Sequence, residues 1–303
     1  GAMGGIIERI KQAYRTGNVV TRLIFINVSV FVVLKVIDVI FTLFNVYALD
    51  LITYLGVPSH IPILLHRLWT PISYMFVHEG FIHLLFNMLW LYWFGKIFLQ
   101  QFSGRSLGSL YVLGGLAGAL LYVIAFNTIP YYKDMGRGWM IGASAAVMAI
   151  VMGVAFYQPE TRVNLLFLGQ IKIIYIAIFA FVLDFLSLGS PTNPGGHVAH
   201  IGGALLGYYY ASRYLKGRDI TRWMSRAIDG FVGLFKPRAK APKRAKMKVK
   251  YKADVRQETD WEYNQRRRTE QEEIDAILDK LKQSGYSGLS SEEKKKLFDA
   301  SRK

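Results

Sequence analysis

The chain has 303 residues, of which 52% are hydrophobic, with a mean hydropathy of +0.24, a net charge of +16 and no cysteine. It is too apolar for an ordinary soluble domain, and its apolar residues gather in runs of roughly 20, the length that crosses a bilayer core. Disulfides, thiol catalysis and cysteine-based metal sites are excluded. Most of the positive excess lies toward the C-terminus, where an anionic inner leaflet is a better partner than nucleic acid.

Gly1–Ala2–Met3 reads as a remnant of tag cleavage, and Gly5 to Gly17 is too charged for the core of a secretory signal. Ile6, Ile7, Ile10 and Tyr14 recur at helical spacing among Glu8, Arg9, Lys11 and Arg15. Residues 1–21 are therefore either an amphipathic helix on the inner membrane surface or a solvated leader. The first span is expected from about Leu23 to Tyr47, with Lys35 and Asp38 spaced to pair on one face. The connection from Ala48 to about Thr70 is long and carries Leu51, Ile52, Leu55, Ile61, Ile63, Leu64 and Leu65, which places it in the interface. His78–Glu79–Gly80 interrupts the next apolar run, so the second span starts near Gly80 and contains His83 and Asn87.

The third span runs from about Leu107 to Phe126, with Gly114 and Gly118 on a small-residue contact face. The fourth, Trp139 to Tyr157, stops before Pro159 and carries a smooth stripe of Ala145, Ala149 and Gly153. The fifth runs from about Lys172 to Leu186 and the sixth from His197 to Tyr214. The expected fold is an all-α membrane protein, a six-transmembrane-helix bundle over residues 22–215 with a small cytoplasmic helical tail. Six spans put both termini on one side. The loops of that side carry Lys96, Arg105, Arg162 and Lys172 besides the basic termini, against Arg67, Lys133 and Arg137 opposite. Both termini are therefore expected in the cytoplasm.

Beyond the sixth span, Ile220, Trp223, Met224, Ala227, Ile228 and Phe231 mark an interfacial amphipathic helix within residues 216–235. A basic linker, residues 236–269, is free of acids from Lys236 to Lys252; it reads as a solvated positive-inside segment or as a site for anionic lipid. In the tail, residues 270–303, Ile274, Ile277, Leu278 and Leu281 form a helical stripe, and Ser290 with Glu293 spells a capping box.

With this topology the second, fourth and sixth spans all run from outside to inside. His83, Ser144 and His200 each fall a few residues past the outer start of their spans, at similar depth. Polar groups at one depth in one leaflet are costly unless they face a cavity or each other. Ser144, between Gly142 and Ala145, is either a packing residue or a nucleophile, and a histidine base is what would activate it. Gly203 and Gly207 share the face of His200 and let that face press on the stripe of the fourth span. Packing alone has no need of the imidazole. His197 reads as a loop or helix-start residue.

His83 and Asn87 are four apart on one face and can both donate to a developing oxyanion, or can simply tie the second span to a neighbour. His78, about 140° round from His83 on any helix extended back to it, would point elsewhere. No metal or other cofactor is expected. His78–Glu79 with His83 lacks the His-Glu-x-x-His spacing, and no acid lies close in sequence to His197 and His200. Asp184 is the one acid near the outer end of the later spans and is able to orient His200, though its position gives that role no specific support. A channel or transporter is a third class of reading, against which the polar residues gather at one depth.

Together, His78–Glu79–Gly80–Phe81–Ile82–His83–Leu84–Leu85–Phe86–Asn87, Gly142–Ala143–Ser144 and Ala199–His200–Ile201–Gly202–Gly203 resemble the rhomboid family of intramembrane serine proteases. Arg67–Leu68–Trp69–Thr70 is similar to the Trp/Arg region of that family's first loop. The resemblance spans about Leu23 to Tyr214. It implies a bacterial inner-membrane endopeptidase with a Ser144–His200 dyad, in which Ser144 forms the acyl-enzyme and His200 is base and then acid. His83, Asn87 and the Ser144 backbone N–H match its oxyanion donors. Its substrates are transmembrane segments of membrane proteins, cut near their outer end. Ala145 stands where the family usually has glycine, which puts a methyl beside the oxyanion site. The rival from another class is a silent relative that binds transmembrane segments without cutting them; such relatives typically lack Ser or His, and both are present.

Overall fold

The computed structural model describes residues 2–46, 50–165, 169–235 and 260–301. They form two compact units, Gly1–Lys236 and Pro237–Lys303.

The first unit is an all-α membrane bundle. It opens with α1 (Ala2–Thr16) and α2 (Val19–Leu43). The side chains of Ile6, Ile7 and Ile10 lie outside the described residues. α2 begins four residues before the expected span because the Asn18 side chain accepts the Thr21 backbone N–H and caps it there. The Lys35 and Asp38 side chains stand 4.0 Å apart, both exposed. The long connection folds into α3 (Leu51–Leu55), β1 (Val57–Pro58), α4 (Ile61–His66), α5 (Thr70–Ser73) and a 3-10 turn at Tyr74–Phe76. Leu65 and Leu68 remain exposed on it.

Next come α6 (Phe81–Phe98), α7 (Gly104–Thr128), α8 (Pro130–Asp134), β2 (Trp139–Met140) and α9 (Ser144–Tyr157). A short hairpin, β3 (Arg162–Leu165) with β4 (Gly169–Lys172), leads to α10 (Ile173–Leu186), α11 (Pro194–Leu215) and α12 (Arg222–Phe235). α2, α6 and α7 are each long and apolar enough to cross a membrane; α9 and α10 are shorter apolar helices. The core centres on α9, of whose 14 residues 11 are buried, so it touches neighbours on every side: α11, α7, α6 and α10. α12 lies along α7 through a Ser109–Ser225 hydroxyl pair at 2.7 Å and an Arg105–Asp229 contact.

The start of the fourth helix differs from expectation. Trp139 and Met140 are extended, not helical, and pair antiparallel with Pro58 and Val57. Gly142 then takes φ +120°, outside the range of side-chain-bearing residues, and donates its N–H to the Tyr74 carbonyl. The apolar run Trp139–Tyr157 is continuous because both a buried strand and a buried helix demand apolar residues, so hydropathy alone does not separate them. Ser144 is thus the first residue of α9, not one a few residues inside it.

The second unit holds α13 (Asp260–Ser284), a 3-10 turn at Tyr286–Gly288 and α14 (Ser291–Ser301). The expected capping box is present: Ser290 N–H donates to Glu293 at 2.6 Å, and Glu293 N–H to Ser290 Oγ at 3.3 Å. α13 starts at Asp260, nine residues before the expected end of the linker at 269. Its polar first turns carry no apolar stripe to reveal it. The basic stretch Lys236 to Lys252 lies outside the described residues.

Candidate active site

Ser144 and His200 meet. Oγ of Ser144 lies 2.6 Å from Nε2 of His200, a hydrogen bond in which the imidazole is placed to take the hydroxyl proton. The approach depends on the α9–α11 seam. A side chain at Gly203 would land on the Ala145 carbonyl, and one at Gly207 on the Ala149 carbonyl, so backbone rests directly on backbone. That closeness lets the short serine reach the ring.

His200 is held from its far side. Its Nδ1 lies 2.8 Å from Oδ1 of Asp184, near the end of α10. Donating from Nδ1 to a carboxylate fixes the ring's proton there and leaves Nε2 free to accept. The same oxygen lies 2.8 Å from Nδ1 of His197, the fourth residue of α11. The loop between α10 and α11 is pinned by Tyr131 and Tyr132, whose hydroxyls donate to the carbonyls of Gly189 and Leu188 at 2.7 Å each. Asn193, in left-handed backbone conformation, caps α11 through the Gly196 N–H.

The other side of Ser144 is built by β2, Gly142 and the start of α6. A Cβ on Gly142 would come within 2.9 Å of the His83 ring, so glycine leaves that imidazole its place beside the serine turn. Asn87 sits one turn along α6 and donates one amide hydrogen to the His83 carbonyl at 2.9 Å, keeping a second amide hydrogen. His78 corrects the expectation that it points elsewhere. It belongs to the turn before α6, is buried, and its Nε2 accepts the Ala143 N–H at 3.4 Å. Its ring lies 5.1 Å from that of His83. Among the described residues none accepts from the Ser144 backbone N–H, so the first turn of α9 offers an unpaired donor at the positive end of a helix. Arg67 clamps the region from outside: it donates to the Thr53 carbonyl at 3.2 Å and lies over the rings of Tyr54 and Trp139.

Residues 65–217, half of the chain, match the rhomboid domain. The chain belongs to the rhomboid family. It is 30% identical over 161 residues to RHOMBOID-like protein 12, mitochondrial, of Arabidopsis thaliana, covering 50% of this chain and 48% of that protein. It is 28% identical over 145 residues to Rhomboid protease GlpG of Haemophilus influenzae, covering 46% and 67%. To Presenilin-associated rhomboid-like protein A, mitochondrial, of Danio rerio it is 29% identical over 138 residues, covering 45% and 34%. The match thus spans about half or less of the plant and fish relatives. Residues 257–303 match a family of unknown function (DUF6576) and lie within the second unit.

Within this rhomboid domain the Ala145 methyl faces away from the serine turn. It packs where a Cβ on Gly118 of α7 would stand, and the residue is 1% exposed. The expected methyl at the oxyanion site is therefore spent on the α7–α9 contact instead. Asp184, named from the sequence as able to orient His200 but without specific support, does contact that ring. It precedes His197 and His200 by 13 and 16 residues, and only the turn between α10 and α11 folds it back. No acid lies close in sequence to this histidine pair, and that turn is what supplies one in space.

Proposed function

We propose that the chain is an intramembrane serine endopeptidase that cleaves transmembrane segments of membrane proteins near their outer end. The observation that carries this reading is the 2.6 Å bond between Ser144 Oγ and His200 Nε2, part-buried within a membrane bundle. His200 takes the hydroxyl proton as Ser144 attacks the scissile carbonyl, then gives it to the leaving amine; water and the same imidazole resolve the acyl-enzyme. Asp184 holds the reactive tautomer and stabilises the imidazolium. His83, the remaining amide hydrogen of Asn87 and the Ser144 backbone N–H serve the oxyanion.

The geometry of α9 supports a site below the membrane surface. Fourteen residues at about 1.5 Å each span about 21 Å, short of a hydrocarbon core of about 30 Å. A helix that starts at Ser144 and ends at the opposite face leaves room above the serine for water. In this reading α2, α6, α7, α9, α10 and α11 are the six spans, and the excess of Lys and Arg supports cytoplasmic termini in a bacterial inner membrane. Anionic lipid is the partner proposed for the basic linker.

The test is cleavage of transmembrane substrates by the purified full chain, together with labelling by a fluorophosphonate. Wild type should cut and label, and Ser144→Ala should do neither while still binding substrate. Cleavage that survives Ser144→Ala would sink the reading. Absence of both cleavage and labelling in wild type, across several substrates, would make the chain a silent binder of transmembrane segments.

A further inference from the structure

Around Asp184, α10 and α11 bring together more donor atoms than hydrolysis uses. Asp184 Oδ1 lies 2.8 Å from Nδ1 of His197 and 2.8 Å from Nδ1 of His200, and the three donor atoms fall within 4.8 Å of one another. Orienting a base takes one carboxylate and one imidazole. The second imidazole, His197, takes part in no step of the reaction described above, yet it faces the same oxygen. Two imidazole nitrogens and a carboxylate oxygen converging on one point are a zinc ligand set that leaves a fourth position for water. The nitrogen donors favour a late first-row divalent ion over magnesium or calcium, which take oxygen. The side chains of Asp184, His197 and His200 are 12%, 21% and 18% exposed, beside the turn between α10 and α11, so an ion has a way in.

We propose that Asp184, His197 and His200 form an inhibitory zinc site, and that the ion silences Ser144 by capturing Nδ1 of His200. Metal–ligand bonds of about 2.0–2.1 Å in a tetrahedron set the donors about 3.3 Å apart, so the Asp184 oxygen backs away from each nitrogen by about half an ångström. α10 can supply that shift, since only Ile173, Ala177 and Asp184 of it are buried. The ion takes the Nδ1 lone pair of each ring. Each neutral imidazole moves its proton from Nδ1 to Nε2, so no proton is released and only two hydrogen bonds to Asp184 are exchanged for metal bonds. Nε2 of His200 then carries a hydrogen toward Ser144 Oγ. It donates to the hydroxyl and has no lone pair with which to accept its proton. The nucleophile stays protonated and weak.

The effect on cleavage rests on the reading of Ser144 and His200 as the dyad; the binding of the ion does not. Two measurements separate them. Full-length wild type, stripped of metal in detergent, is assayed for cleavage against a zinc titration. Full-length Ser144→Ala is titrated with Co²⁺ and followed by visible absorption. Zinc should inhibit reversibly, chelator should restore cleavage, magnesium should do nothing, and one Co²⁺ should bind per chain. His197→Ala and His197→Gln should weaken Co²⁺ binding and zinc inhibition together, by at least about tenfold, each judged against its own metal-free rate. The glutamine variant keeps a hydrogen-bond donor for Asp184 and decides the matter if the alanine variant does not fold. Absence of Co²⁺ binding, or binding and inhibition untouched by both His197 variants, would overturn the site. If wild type cleaves nothing, the protease reading fails alone, and the Co²⁺ titration still decides the site.

Discussion

α9 and α10 are both 14-residue apolar helices, and the bundle treats them in opposite ways. α9 is buried along nearly its whole length, its small residues seated against glycines of α7 and α11. α10 buries three residues and leaves Tyr175, Phe179, Phe185 and Leu186 more than half exposed. The proposed nucleophile stands on the first and the carboxylate that holds its proposed base on the second. Attack requires atoms held within a fraction of an ångström, which close packing provides; orienting a ring through a hydrogen bond tolerates more movement. Chemistry of unequal tolerance is placed on helices of unequal packing.

The largest effect should come from the dyad itself. Ser144→Ala and His200→Ala should each lower turnover by about 10⁴–10⁶, and the double variant should be no worse than the singles, because both residues serve one step. Additive losses in single-turnover cleavage would separate the two residues and break the assignment of α9 and α11 to one site.

The proposed oxyanion donors on α6 should rank next. His83→Ala or Asn87→Ala should cost about 10²–10³ in kcat with little change in KM, since the charge they meet exists only in the transition state. Unchanged turnover in both, with the fold intact, would return them to packing.

Packing itself can be tested by pairing one substitution on each side. Gly203→Ala puts a methyl on the Ala145 carbonyl, forces the seam apart and moves Ser144 from His200; a displacement of about 1 Å is worth about 10² in rate. Phe179→Ala, on the exposed face of α10, should leave cleavage within about threefold. Its area meets lipid before and after, and few protein contacts are lost. Equal effects would erase the contrast between the helices. Asp184→Asn should fall between them, with a loss in kcat and a smaller change in KM, because Asp184 acts through His200.

The smallest effect concerns the support beneath the serine turn. Burial, reinforced by the neighbouring His83, pushes His78 from an ordinary 6.5 down to about 4. Between those values the folded chain binds fewer protons than the unfolded one. The stability contributed by neutral His78 is therefore complete above about pH 6.5 and is lost as pH falls through 4. At most about 3 kcal/mol is involved. The thermal midpoint in detergent should drop across that window, and His78→Gln, which retains an acceptor for the Ala143 N–H, should flatten the drop. An unchanged slope in that variant would remove His78 from the account.

Membrane class, the extent of α6, α7, α10 and α11 to within a few residues and the Ser290–Glu293 cap were all legible in the residues themselves, whereas the pairing of Ser144 with His200 rested on their common depth and on the rhomboid motifs. Long apolar runs, capping side chains and stripes of glycine and alanine are local signals, and a local signal needs no knowledge of the fold. The start of α9 was not legible, because Trp139 and Met140 are apolar whether they join a helix or pair with Val57 and Pro58. His78 was visible as a residue but not as a neighbour of the site, and Asp184 only as an acid able to orient His200, with no specific support from its position. Each is carried there by a turn whose path depends on distant partners: Tyr131 and Tyr132 for the loop after Asp184, Ala143 for His78. Sequence spacing measures distance along the chain, and a carboxylate 16 residues from its histidine becomes its hydrogen-bond partner only when two helices pack side by side.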